Sequence, residues 1–222
     1  HRARRSLVHV GRAAMTGPTW TWSDSGRTLR WLAATVAGLA LAPSSASGHL
    51  VSTGLGPYFD GISHMAVTPQ DLLPVLALSL LAGLGGKGYS RNVLFVLPAA
   101  WLAGGLVGLA TGWSAPLATT VISFLVLGGL VAADRPMSER VGLGLAIVLG
   151  LLHGQTNGVE MRLTGIGFSG LIGVISVLFV VVSLVSAVVV SLRVPWTRIA
   201  VRVAGSWIVA VGLLYLGWTF ST

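Results

Sequence analysis

Six long apolar runs fill almost all of the chain beyond residue 68, at about 69–86, 92–111, 115–133, 141–161, 166–192 and 199–218. A helix needs about 20 apolar residues to cross the hydrocarbon core of a bilayer, and most of these runs approach that length. The connections are short, so neighbouring helices are expected to pack as antiparallel hairpins. The fold predicted is an all-α polytopic membrane protein, a bundle of about six transmembrane helices after an N-terminal signal peptide. Composition agrees: 54% of the 222 residues are hydrophobic and 9% are charged, against about a quarter charged in a soluble domain. Thirty glycines in so apolar a chain suit helices packed backbone to backbone. The chain has no cysteine, which excludes disulfides, thiolate metal sites and a cysteine nucleophile.

Residues 1–48 read as a leader. Met15 is a plausible start, followed by Arg27 and Arg30, an apolar run over 31–42, and Pro43-Ser44-Ser45-Ala46-Ser47-Gly48. That order is the basic region, apolar region and small-residue cleavage site of a secretory signal, with cleavage expected between Gly48 and His49; the alternative is an uncleaved anchor helix. The formal charge of +8 divides accordingly: residues 1–48 hold six arginines against Asp24, and the remainder holds eight basic and five acidic residues. No nucleic-acid partner is expected from a charge so distributed. The loops at 87–91, 134–140 and 193–202 carry Lys87, Arg91, Arg135, Arg140, Arg193, Arg198 and Arg202, and the opposite loops carry Arg162 alone. The positive-inside rule makes the first set cytoplasmic, which puts both mature termini on the outer side. Residues 49–68 are expected as an outer-side segment lying in the interface or dipping into the bundle, and 69–222 as the six-helix domain.

Acids and histidines inside spans are costly, which makes each a functional candidate. They fall into two groups: Asp60, His64 and Asp71 around the start of the first span, and His153, Gln155, Asn157 and Glu160 on the outer half of the fourth. His153, Asn157 and Glu160 share one helical face. The first span leaves its group and the fourth runs towards its own, so both groups lie on one side of the membrane. Nitrogen and oxygen donors without sulfur suit nickel, cobalt or zinc. If cleavage falls as expected, His49 adds an amine and an imidazole. Structural readings stand beside these. Thr68-Pro69-Gln70-Asp71 reads as a helix start with Thr68 as N-cap, and Asp71 then completes the cap. Pro74 is a candidate kink. Glu160 has Arg162 as a potential partner, and Gly154 and Gly158 suit a helix contact.

At these residues the chain resembles the HupE/UreJ family, nickel or cobalt permeases linked to hydrogenase and urease maturation, with a cleaved signal and about six spans. The family's first span carries a pattern of the type H-P-x-x-G-x-D-H. Here it reads His64-Met65-Ala66-Val67-Thr68-Pro69-Gln70-Asp71, with Gln70 in place of the aspartate and Asp71 in place of the second histidine. The later pattern, H-G-x-x-H-G-x-E, reads His153-Gly154-Gln155-Thr156-Asn157-Gly158-Val159-Glu160, with Asn157 in place of a histidine. Carboxylate and amide for two imidazoles make the site harder.

The resemblance implies a secondary permease of the bacterial cytoplasmic membrane, taking a divalent metal, nickel or cobalt, from the outer side. His64, Asp71, His153 and Glu160 are the first-choice ligands, with Asp60, Asn157 and His49 as helpers. The metal is substrate rather than resident cofactor, and a homo-oligomer or a metalloenzyme maturation partner is in keeping with the family. No phosphate-binding loop is present, so no ATP hydrolysis by this chain is expected. Gly167-Phe168-Ser169-Gly170 resembles the G-x-S-G of rhomboid proteases, but no histidine follows His153 to act as base, so the chain is not expected to be an enzyme. The alternative is a non-transporting membrane subunit that binds a metal or a partner.

Overall fold

Backbone N–H and C=O groups find no water in a bilayer core, so an apolar chain must satisfy them within helices. The computed structural model describes residues 52–116 and 118–219, and these form seven helices and no strand. They are α1 (Pro57–Val67), α2 (Pro69–Gly85), α3 (Lys87–Thr111), α4 (Ala118–Ala133), α5 (Glu139–Leu163), α6 (Gly167–Ser191) and α7 (Pro195–Thr219). The six expected spans correspond in order to α2 through α7. The largest differences are at the amino ends of α3 and α7, which take in Lys87, Arg91, Arg198 and Arg202. Long basic side chains lie along a helix end while their charges reach the interface, so they need not end the helix. The proposed start at Met15, the cleavage point and His49 lie outside the described residues.

α3, α6 and residues Trp196–Trp218 of α7 are each long and apolar enough to cross a membrane, and α1 with α2 meets the same criterion as a pair bent by 72°. α4 is apolar but only 16 residues long. α5 has 25 residues and carries the polar group. The described residues are all-helical, and the chain is a multi-pass membrane protein.

The bend between α1 and α2 falls at Thr68, at the expected helix start, and no break occurs at the candidate kink Pro74. Thr68 precedes Pro69, and the proline ring pushes the preceding residue out of the helical region; Thr68 is extended at φ −101°, ψ 94°. Pro74 is buried within an uninterrupted α2. In the 49–68 segment, α1 buries Asp60, Gly61, His64 and Met65 and lies against α6. A Cβ on Gly61 would stand 2.0 Å from the Gly170 carbonyl oxygen, and one on Gly173 would stand 2.1 Å from that of Tyr58.

α3 and α5 form the most extensive helix pair, and α4 packs chiefly on α7. α2 touches every other helix, and Val75, Ala77, Leu78 and Ala82 are fully enclosed there. Trp101, Phe124, Met161, Leu171 and Leu178 complete the core around it. α7 lies outermost and exposes Trp196, Trp207, Leu213, Leu214 and Trp218, an apolar face suited to lipid.

Candidate functional site

The two polar groups meet. In a straight helix, His64 and Asp71 would lie about 10 Å apart along the axis, at 1.5 Å per residue. The turn at Thr68 folds α1 over the start of α2 and brings His64 Nε2 to 3.8 Å from Asp71 Oδ2. Asp71 does not serve as a cap. Its own N–H and that of Leu72 bond the Thr68 carbonyl at 3.1 and 3.0 Å, and Pro69 has no N–H to satisfy. The carboxylate is therefore available to α5. Its Oδ1 accepts from His153 Nδ1 at 2.9 Å and its Oδ2 from Asn157 Nδ2 at 2.7 Å. The positive end of the α2 dipole favours a negative charge at that position.

Donor and acceptor chemistry fixes the orientations. The Trp101 indole on α3 can only donate, and it reaches an Asn157 side-chain atom at 3.1 Å. That atom is therefore the amide oxygen, and the NH2 group faces Asp71. With Asp71 Oδ1 as the acceptor, His153 carries its hydrogen on Nδ1. Its Nε2 lies 3.0 Å from Ser123 Oγ on α4, and that hydroxyl also lies 2.8 Å from the Thr119 carbonyl. The Trp101 ring lies 5.7 Å from the His153 ring, centroid to centroid. His64 Nε2 approaches Glu160 Oε2 to 2.9 Å, off the hydrogen-bond axis, and both atoms are buried without a well-aligned partner among the described residues. Thr68 Oγ1 stands 3.4 Å from His64 Nδ1.

His64, Asp71, His153, Asn157 and Glu160 thus form one cluster. Asp60 is bonded to the segment before α1: its Oδ1 accepts from the backbone N–H and hydroxyl of Thr53, at 2.6 and 2.7 Å. Arg162 donates to the carbonyls of Leu109 and Ala110 and leaves Glu160 to His64. The side chains of the cluster largely satisfy one another, and among the described residues no three of His, Asp and Glu converge as a ready metal-holding group. Above the cluster lies a cavity of about 340 Å³. Asp71, His153 and Glu160 line its floor, with Thr68, Gln70 and Thr119 among its walls. At about 30 Å³ per water, it has room for a hydrated ion.

Trp101 and Ser123 were not among the expected site residues. Ser123 is a hydroxyl inside an apolar run, a signal that was there to be read. Trp101 carries no such signal, because its role depends on how closely α3 approaches α5. Trp101→Phe keeps an aromatic ring but removes the indole N–H, which strands the Asn157 amide oxygen, a loss of about 1–3 kcal/mol. The expected result is a lower unfolding temperature in detergent with the helix content unchanged.

A family model described as HupE / UreJ protein matches residues 35–215, a stretch that contains every member of the cluster. The chain belongs to the HupE/UreJ family. No curated protein and no solved structure matches it. HupE/UreJ proteins are transporter-like membrane proteins related to nickel and cobalt transport, not a known enzyme family. The G-x-S-G run has a structural role here: Ser169 is exposed, Gly170 packs against Gly61 and Met161, and both ring nitrogens of His153 face other groups.

Proposed function

We propose that this HupE/UreJ protein is a secondary permease for a divalent transition metal, nickel or cobalt, with a binding site made by His64, Asp71, His153 and Glu160 and assisted by Asn157. One observation carries the reading: carboxylates and imidazoles from the first and fourth expected spans meet beside an open cavity that Asp71, His153 and Glu160 line, on the end of the bundle opposite the arginine-rich loops. A metal arriving from the cavity would exchange the His64–Glu160 contact, which is poorly aligned, for coordination. His49 would join as a ligand only where cleavage frees it, and Asp60 would help by anchoring the segment before α1. The charge distribution supports the bacterial cytoplasmic membrane with the cavity and both mature termini outside. A homo-oligomer or a metalloenzyme maturation partner fits the same reading, and the ion gradient or membrane potential would supply the drive.

The mutual bonding of Asp71, His153 and Asn157 favours a second reading, a non-transporting subunit that binds a metal or a partner. Equilibrium binding of nickel, cobalt, zinc and manganese to the purified protein, beside a His64→Ala, His153→Ala double variant, tests the site. The expected result is binding of nickel or cobalt that the double variant loses. Metal uptake by proteoliposomes then separates the readings: binding without uptake selects the subunit. If the wild type binds none of the four metals, the site is not a metal site.

A further inference from the structure

The opposite end of the bundle holds a second polar feature. α6 and α7 are consecutive, yet they scarcely touch, because α7 packs on α4 and α6 packs on α1, α2 and α3. Between them runs an apolar groove of about 480 Å³, walled by Leu80, Leu184, Val188, Trp196, Ala200 and Ala204. Beside the groove lies a cavity of about 470 Å³ at the carboxyl ends of α2 and α6, bounded by Gly83, Gly86, Arg193, Thr197 and Arg198. The groove and the cavity share Val189, Leu192 and Thr197 as walls, so they adjoin and together make up one cleft.

The charges in this cleft are of one sign. Arg193 and Arg198 line the cavity and no acid does. Arg198 is held by Asp134, Nε to Oδ2 at 2.6 Å and a terminal nitrogen to Oδ1 at 2.9 Å, which fixes its guanidinium at the rim. Arg193 forms no ion pair with a carboxylate among the described residues. A basic pocket that adjoins a greasy channel along a lipid-facing helix pair matches one kind of molecule: an anionic head on an acyl chain. A free phosphate would leave the groove empty, and a zwitterionic lipid would bring a cation to the arginines. We propose that this cleft binds an anionic phospholipid, with the phosphate at Arg193 and Arg198 and an acyl chain between α6 and α7. The proposal is independent of the metal reading, since the cleft lies at the far end of the bundle from His153.

The test uses the full chain in a neutral detergent, titrated with phosphatidylglycerol, phosphatidylcholine or inorganic phosphate, and read by native mass spectrometry of bound lipid and by thermal unfolding. The expected result is at least about a tenfold preference for phosphatidylglycerol over phosphatidylcholine, with no shift from inorganic phosphate. Arg193→Gln is expected to cut that preference about fivefold, on the scale of one basic residue near an anionic lipid, while Arg193→Lys retains it. Ala200→Phe, which fills the groove, is expected to weaken both lipids. Equal binding of the two lipids overturns the proposal, as does an unchanged preference in Arg193→Gln. Stabilisation by inorganic phosphate alone would reduce the cleft to an anion pocket. A change of oligomeric mass in Ala200→Phe with lipid binding intact would make the groove an interface between copies instead.

Discussion

Asp71→Asn is expected to abolish metal uptake while leaving a folded protein. The carboxylate accepts from His153 Nδ1 and Asn157 Nδ2 at once. An asparagine has one acceptor and one donor end, so it can keep Asn157 only by turning its NH2 towards His153. The imidazole can accommodate that by moving its hydrogen to Nε2 and donating to Ser123 Oγ, which already lies 3.0 Å away. The hydrogen-bond network therefore survives with a different tautomer, and the stability change is expected to stay within about 1 kcal/mol. The charge does not survive. Asp71 is the buried carboxylate beside both histidines, and a divalent ion leaving water needs compensating negative charge. A deficit of about 3 kcal/mol in binding is a loss of more than a hundredfold. Uptake by proteoliposomes, with expression and unfolding temperature measured on the same preparation, checks both halves. Wild-type uptake by the variant would remove Asp71 from the ligand set. A collapse of folding together with uptake would make it a structural residue.

How much of this was legible in the sequence depends on which interactions follow from spacing along one helix. His153, Asn157 and Glu160 fall on one face because a helix has 3.6 residues per turn, and all three do face the cluster. That Asp71 and His153 would lie at one end of the bundle followed from counting spans. The use of Asp71 did not follow, because a cap and a cross-helix partner have the same sequence signature at the third helical position. Three-dimensional proximity decided between them, because both carboxylate oxygens are taken by His153 and Asn157 of α5. Asp60 lies one turn from His64, and the spacing placed it with the site; its bonds to the Thr53 hydroxyl and N–H could not be read from spacing. The helix start at Pro69 was legible from Thr68-Pro69, since Pro69 acts on its predecessor; the candidate kink at Pro74 does not interrupt α2. Trp101 was invisible for a different reason. Its bond to Asn157 exists only because two backbones nearly touch, and that contact depends on glycines in both helices.

Those glycines carry the other large expectation. Gly104 and Gly108 on α3 face Gly154 and Gly158 on α5 in alternation. A Cβ on Gly158 would lie 2.0 Å from the Gly105 carbonyl oxygen, one on Gly154 would lie 2.1 Å from that of Trp101, and one on Gly108 would lie 2.0 Å from that of Gln155. In each case the obstacle is backbone, which cannot rotate away as a side chain can. Gly→Ala inside a helix ordinarily gains up to about 1 kcal/mol, so Gly144 on α5, whose Cβ position meets nothing within 4 Å, is the control. Gly144→Ala is expected to be neutral or slightly stabilising. Gly158→Ala is expected to lose about 3 kcal/mol or more, at or beyond the upper range for overpacking, because relief requires α3 and α5 to separate along their length. Separation also draws Trp101 from Asn157, so the variant should lose metal binding in step with stability. Unfolding temperatures of the two variants in one detergent decide the matter. Equal values would show that the α3–α5 contact yields at little cost, and the positioning of Asn157 would then have to come from elsewhere.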